Sequence, residues 1–170
     1  MQPSEKTHSI QFLEDQLQDV ITLLAKQQLE QSLVQRGPAV NHELVEAMLK
    51  NQHQARLQEK FSLMHPADIG FILESLPLAQ RKTAWDVIKT LHDGQVLLEV
   101  SDAVRQTLIS GMEAEELAIV AGKLNADEIA DLAADLPKRT MLKILRSLNS
   151  KKRKHLNAIL SCQDNQIGAL

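Results

Sequence analysis

At 170 residues with 44% hydrophobic side chains, the chain can bury one modest core with an appendage, and that core is almost purely aliphatic. Aromatics make up 2% and Tyr is absent, which leaves base stacking on single-stranded nucleic acid little to work with. The lone Cys162 excludes an internal disulfide and fits a reducing compartment, no window reaches the roughly 18 apolar residues of a membrane span, and Met1 to Ser9 is no signal peptide, so the segment reads as soluble. The net charge of −3 hides an asymmetry: residues 1–137 carry 11 Lys and Arg against 21 Asp and Glu, whereas 138–170 carry 8 against the single Asp164. An acidic body with a basic tail suggests two contact surfaces with different partners.

From Ile10 to about Gln35, Ile10, Leu13, Leu17, Val20 and Leu24 alternate three and four residues apart, as in a coiled-coil seam. The seam then turns to Gln27 and Gln31, so it is barely two heptads long, and packing of this helix onto the rest of the chain is the simpler expectation. Gly37-Pro38 closes the helix, and Asn41 is placed to cap a second one through Leu44, Met48 and Leu49 to about Glu59. Next comes Met64-His65-Pro66-Ala67-Asp68-Ile69-Gly70-Phe71-Ile72-Leu73-Glu74-Ser75-Leu76-Pro77. Pro66 suits a first helical position, Asp68 complements the positive end of the helix dipole, and Pro77 stops the helix. Ala84, Val87, Ile88 and Leu91 form another stripe, with Trp85 read as a core filler.

Beyond Asp93 the triplets Val96/Leu97/Val100, Leu108/Ile109/Met112, Val120/Ala121/Leu124, Leu132/Ala133/Leu136, Ile144/Leu145/Leu148 and Leu156/Asn157/Leu160 recur every 12 residues. Each unit is one stripe of a helix about two turns long. The stripe is followed by Ser101, Glu113, Asn125, Pro137, Asn149 or Ser161, four of which can accept from free N–H groups of the next helix. The segment 125–137 repeats the design of 65–77. Helices this short are marginal alone in water and must be stabilised by stacking. The expected fold is therefore all-α: a right-handed or mixed superhelix (α-solenoid) of about ten short helices, each touching mainly its sequence neighbours. Ile69, Leu73, Leu124, Leu132, Leu136 and Leu148 are expected in its core.

No catalytic constellation is present. The six His are scattered without metal-ligand spacing, with His65 and His92 placed to cap helices, and the six Gly form no phosphate-cradling loop. The remaining candidate is acidic. Asp127, Asp131 and Asp135 lie at i, i+4 and i+8, where like charges destabilise a helix by roughly 0.2–0.5 kcal/mol per pair. Lys123 and Arg139 offset part of that, and Glu113, Glu115, Glu116 and Glu128 extend the surface. Such a stripe is either a solvated face or one side of a site for a hard divalent cation, since Mg2+ takes one or two carboxylates and keeps several waters. The basic stretch Lys138, Arg139, Lys143, Arg146, Lys151, Lys152, Arg153 and Lys154 suits phosphates, anionic headgroups or an acidic neighbouring domain.

His65-Pro66-Ala67-Asp68-Ile69 with Leu76-Pro77, Asn125-Ala126-Asp127-Glu128-Ile129-Ala130-Asp131-Leu132 with Leu136-Pro137, and the terminal Ile167-Gly168-Ala169-Leu170 resemble the amino-terminal cytosolic domain of MgtE-type magnesium transporters over roughly residues 40–170. The ending resembles the start of the paired CBS domains that follow this superhelix in the family. The implied organisation is a helical extension at 1–37, the superhelix at 38–160 and the beginning of a linker at 161–170. The resemblance implies a non-enzymatic regulatory domain on the cytoplasmic side of a bacterial membrane, sensing intracellular Mg2+ through acidic surfaces that contact CBS domains and gate a membrane pore. Its partners would be the CBS and pore domains of the same polypeptide, with a homodimer formed through those parts and no nucleic acid. Asp127, and after it Glu128 and Asp131, are the metal positions carried over, with Mg2+ bound weakly and shared with the CBS half. The basic stretch departs from a wholly acidic sensor. The competing class is a helical scaffold such as the flagellar motor-switch (FliG-like) amino-terminal domain, or an adaptor unrelated to transport.

Overall fold

A computed structural model describes residues 3–36, 41–92 and 94–167. The described residues form ten α-helices and one 3-10 turn and contain no strand. They fall into two compact units, Met1–Leu91 and His92–Leu170.

The first unit contains α1 (Pro3–Arg36), α2 (His42–Ser62), α3 (Pro66–Ser75) and α4 (Leu78–Leu91). The helix α1 packs along α2 and touches α3 and α4, and α2 also packs on α4. Of the seam, Val20 and Leu24 are buried, Leu13 and Leu17 half-buried, and Ile10 exposed, so α1 spends its apolar stripe on its own unit. Gly37-Pro38 lies outside the described residues. Asn41 does stand at the head of α2, but in the left-handed region at φ 67° and without a side-chain cap bond. Leu44 and Met48 are exposed, and α2 instead buries His53, Leu57 and Phe61. Buried His53 is satisfied by Glu30 of α1, 2.6 Å from its Nε2, as a buried polar group requires. The signature at 65–77 folds as its residues dictate. His65 Nδ1 accepts from the Ala67 N–H at 3.2 Å, Pro66 opens α3, and Leu76 ends it in extended backbone before Pro77.

The second unit contains α5 (Gln95–Leu98), α6 (Asp102–Ser110), α7 (Ala114–Lys123), α8 (Ala126–Leu132) with the 3-10 turn Ala133–Asp135, α9 (Lys138–Ser147) and α10 (Ser150–Ile167). Val96, Leu97, Val100, Leu108, Ile109, Met112, Val120, Ala121 and Leu124 are all buried, as the 12-residue register requires. The register weakens towards the end, where Leu156 is buried but Asn157 is exposed. It also begins earlier than Asp93, because Ile72/Leu73/Leu76 and Ala84/Trp85/Ile88 fall on the same positions and are all buried. All six residues expected in the core are buried.

Packing within this unit corrects one expectation. The strongest pairings are α7 with α9 and α8 with α10, next-but-one rather than adjacent helices. The cause lies in the connections. Leu124-Asn125 and Leu136-Pro137 are two-residue links with extended backbone, too short and too straight to fold a helix back onto its predecessor. Asn125 and Asn149 act as expected, each Oδ1 accepting at 2.9 Å from the N–H of Glu128 and Lys152. Ser161 does not restart a helix. It lies inside α10, where its hydroxyl donates to the Asn157 and Ala158 carbonyls, and the helix runs on to Ile167.

Some units carry Arg instead of an apolar residue at the fourth helical position, where α7, α8 and α9 have Leu117, Ile129 and Met141. The Arg side chain reaches back to the carbonyls that end the preceding helix. Arg81 donates to Leu73 O at 2.7 Å and Leu76 O at 2.9 Å, Arg105 to Leu97 O at 2.7 Å and Val100 O at 3.0 Å, and Arg153 to Leu148 O at 2.8 Å. Helix C-termini otherwise leave such carbonyls to water or to capping groups.

Candidate cation-sensing surface

Helix α8 places the candidate metal ligands. Asn125 and Glu128 form a reciprocal capping box: Asn125 Oδ1 accepts from the Glu128 N–H, and Glu128 Oε2 accepts from the Asn125 N–H at 2.7 Å. Half of the Glu128 carboxylate is thus committed to starting the helix. Asp127 and Asp131, four residues apart, are both exposed, while Ile129 and Leu132 hold the opposite side of the helix in the core. In a helix this spacing puts the two Cβ atoms about 5–6 Å apart.

Asp135 leaves the stripe. The last residues of the segment tighten into the 3-10 turn, which breaks the 100° register, and the Asp135 side chain is only 8% exposed. It accepts from Arg105 Nη1 at 3.0 Å and Gln106 Nε2 at 3.1 Å. Asp135 is therefore a structural ion-pair partner, as buried charge demands. The extended acidic surface is similarly reduced. Glu116 accepts from the Glu113 N–H at 3.1 Å at the start of α7, and Glu115 is paired with Lys143 of α9. A hydrogen bond from Lys143 holds the exposed Glu115 carboxyl below its ordinary range, helped by its own backbone N–H and by the charges of Lys143 and Arg139. Asp127 and Asp131 are the carboxylates of α8 that remain turned to solvent. Among the described residues, no group of three or more His, Cys, Asp or Glu is disposed to hold a metal ion.

The basic stretch divides in the same way. Lys143 serves Glu115, Lys152 Nζ donates to Gly122 O at 2.8 Å, and Arg153 serves Leu148 O. Lys138, Arg139, Arg146, Lys151 and Lys154 are exposed. Cys162 is exposed near the end of α10, and no described helix is long and apolar enough to cross a membrane.

The model of the MgtE intracellular N domain matches residues 64–165, well over half of the chain. The chain belongs to this family. No curated protein matches it. The matched segment of this MgtE N domain begins just before α3 and ends inside α10, so it contains the whole capped repeat from His65 and leaves all of α1 and α2 outside. Of the three segments that carry the resemblance, those at 65–77 and 125–137 lie within it, and the ending from Ile167 does not. The terminal Gly168-Ala169-Leu170 lies outside the described residues. The sequence pattern did not reveal the Arg105–Asp135 pair, although an Arg in an apolar slot of a strict repeat was the available signal.

Proposed function

We propose that this MgtE N domain is the non-enzymatic, Mg2+-responsive regulatory part of a magnesium transporter, working on the cytosolic side of the membrane. Residues 38–160 would form the responding superhelix, 1–37 an extension, and 161–170 the beginning of the link to a CBS pair, with the pore domain and the dimer contacts in the rest of the polypeptide. The observation that carries this reading is the pair Asp127 and Asp131, exposed on one face of α8 while neighbouring carboxylates are taken by caps or ion pairs. Two carboxylates at that spacing suit one side of a hydrated Mg2+, and the second oxygen of Glu128 adds a third acceptor nearby. The remaining ligands would come from the acidic face of a CBS domain.

Apposing two acidic faces without cations is unfavourable, so the compact arrangement is populated as Mg2+ rises. The ion drives the shift through its higher affinity for the state in which both faces meet. The test is limited proteolysis, or the distance between spectroscopic labels, across a Mg2+ titration of the polypeptide carrying this domain and its CBS pair. Asp127→Asn with Asp131→Ala should remove both repulsion and ligands and make compaction less dependent on Mg2+. Superimposable curves for wild type and variant would end the proposal for this face.

A further inference from the structure

The outward face of α9 is basic along its length. Thr140 and Ile144 turn into the core, and on the opposite side Lys138, Leu142 and Arg146 fall at i, i+4 and i+8, with Arg139 three residues before Leu142 and all four exposed. Leu142, 55% exposed, is thus flanked by three cations. No hydrogen bond or ion pair holds the side chains of Lys138, Arg139 or Arg146 among the described residues. The helix packs against α7, whose Glu115 is bound by Lys143 and lies within the field of Arg139. One turn on from Glu115, Ile119 is 65% exposed. Two large apolar side chains on these packed helices therefore stand in water beside unpaired cations, and from Lys138 to Gln163 the sequence contains no acid.

We infer that this face rests on an anionic lipid bilayer, with its cations against the headgroups and Leu142 and Ile119 entering the interface. Exposed apolar side chains set among Lys and Arg are the composition of interfacial membrane contacts. Each Lys or Arg near an anionic leaflet strengthens binding by about fivefold, so three of them give a reversible attachment. The outward side of a helix offers a small anion no walls, and a soluble polyanion would meet the charges but leave both apolar side chains in water. The exposed Leu44, Val45 and Met48 of α2 are a contrast, because Glu43 and Glu46 stand among them and would be repelled by such a leaflet. The family's association with magnesium transporters puts a membrane within reach of the chain. The surface is distinct from Asp127 and Asp131 on α8 and stands without the Mg2+ reading.

The test is co-sedimentation of the 170-residue chain, in chelator, with vesicles of phosphatidylcholine alone and with vesicles in which a third of the lipid is phosphatidylglycerol. The chain should bind the mixed vesicles at least about tenfold more tightly than phosphatidylcholine alone, and less tightly as salt rises. Arg139→Ala with Arg146→Ala should weaken binding roughly 25-fold. Arg139→Lys with Arg146→Lys keeps the charges and should bind within about twofold of wild type, which separates lost charge from a lost fold. Arg56→Ala with Lys82→Ala removes as much exposed charge from the first unit and should change binding less than about twofold. Leu142→Ser with Ile119→Ser should weaken vesicle binding severalfold, because a bilayer takes up apolar side chains. No preference for the anionic vesicles would overturn the proposal, as would equal losses in the two alanine pairs, which would show attraction by net charge alone. Vesicle binding indifferent to the serine pair would assign the face to an acidic protein surface and overturn the membrane contact.

Discussion

Replacing Arg105 by Met puts at the fourth position of α6 the residue that α9 carries there as Met141. If only the apolar register mattered, the change would be mild. The structure says otherwise. The Arg105 side chain is 13% exposed and Asp135 8%, their contact is 3.0 Å, and the same guanidinium holds the Leu97 and Val100 carbonyls. Removing one partner of a buried ion pair destabilises by about 3–5 kcal/mol, because the other charge stays buried without compensation. Gln106 remains as a donor to Asp135, which places Arg105→Met near the lower end, at roughly 3 kcal/mol. Asp135→Ala leaves the guanidinium bonded to two carbonyls and within 3.4 Å of Asp102, so its loss should be about 1–3 kcal/mol, the range for a hydrogen bond to a charged group. The double variant strands no charge and should fall short of the sum by about 2 kcal/mol, within the range for groups in one network. Urea unfolding followed by far-ultraviolet circular dichroism measures all three. Additivity within about 0.5 kcal/mol would refute the claim that the two side chains act as one buried unit.

Gly94 stands at φ +88°, and a Cβ there would lie 2.7 Å from Val120 Cγ1, so Gly94→Ala should destabilise by about 2–4 kcal/mol through a left-handed backbone and overpacking together; an unchanged urea midpoint would contradict it. Leu132→Ala, at a side chain 1% exposed, should destabilise by roughly 2–5 kcal/mol, and a loss below 1 kcal/mol would mean that the cavity collapses. Lys143→Ala should raise the Glu115 carboxyl towards its ordinary range, as read by carbon NMR across a pH titration. Because that carboxyl is depressed in the folded chain, the pair's contribution is present above the ordinary carboxylate range and fades as pH falls through the depressed value. An unmoved Glu115 titration would show that Lys143 is not its main partner.

The repeat was readable because burial and the stop and restart signals recur at one spacing, so Leu124, Leu136 and Leu148 fell in the core where the period put them. Periodicity could not show which helices pair, since the two-residue links decide that through backbone geometry. Nor could it show that Asp135 leaves its stripe. Ideal spacing assumes a regular helix, and the 3-10 turn at Ala133–Asp135 turns a surface carboxylate into the partner of Arg105. The opening of α2 was misleading for a different reason: Leu44 and Met48 form an apolar pattern, yet that stretch remains exposed and the helix buries its second half instead.

The reach-back arginines also govern how such a chain can change length. Arg81 and Arg105 lie 24 residues apart, two units of the 12-residue register, and Arg153 follows Arg105 by two such intervals. Next-but-one pairing makes the same demand, because deleting a single unit would bring together helices that now face different neighbours. An indel of one residue would slip every later stripe, and one of 12 would change which helices meet. Viable gain or loss within the repeat should therefore come in steps of 24 residues, which makes the pair of helices, rather than the helix, the heritable module.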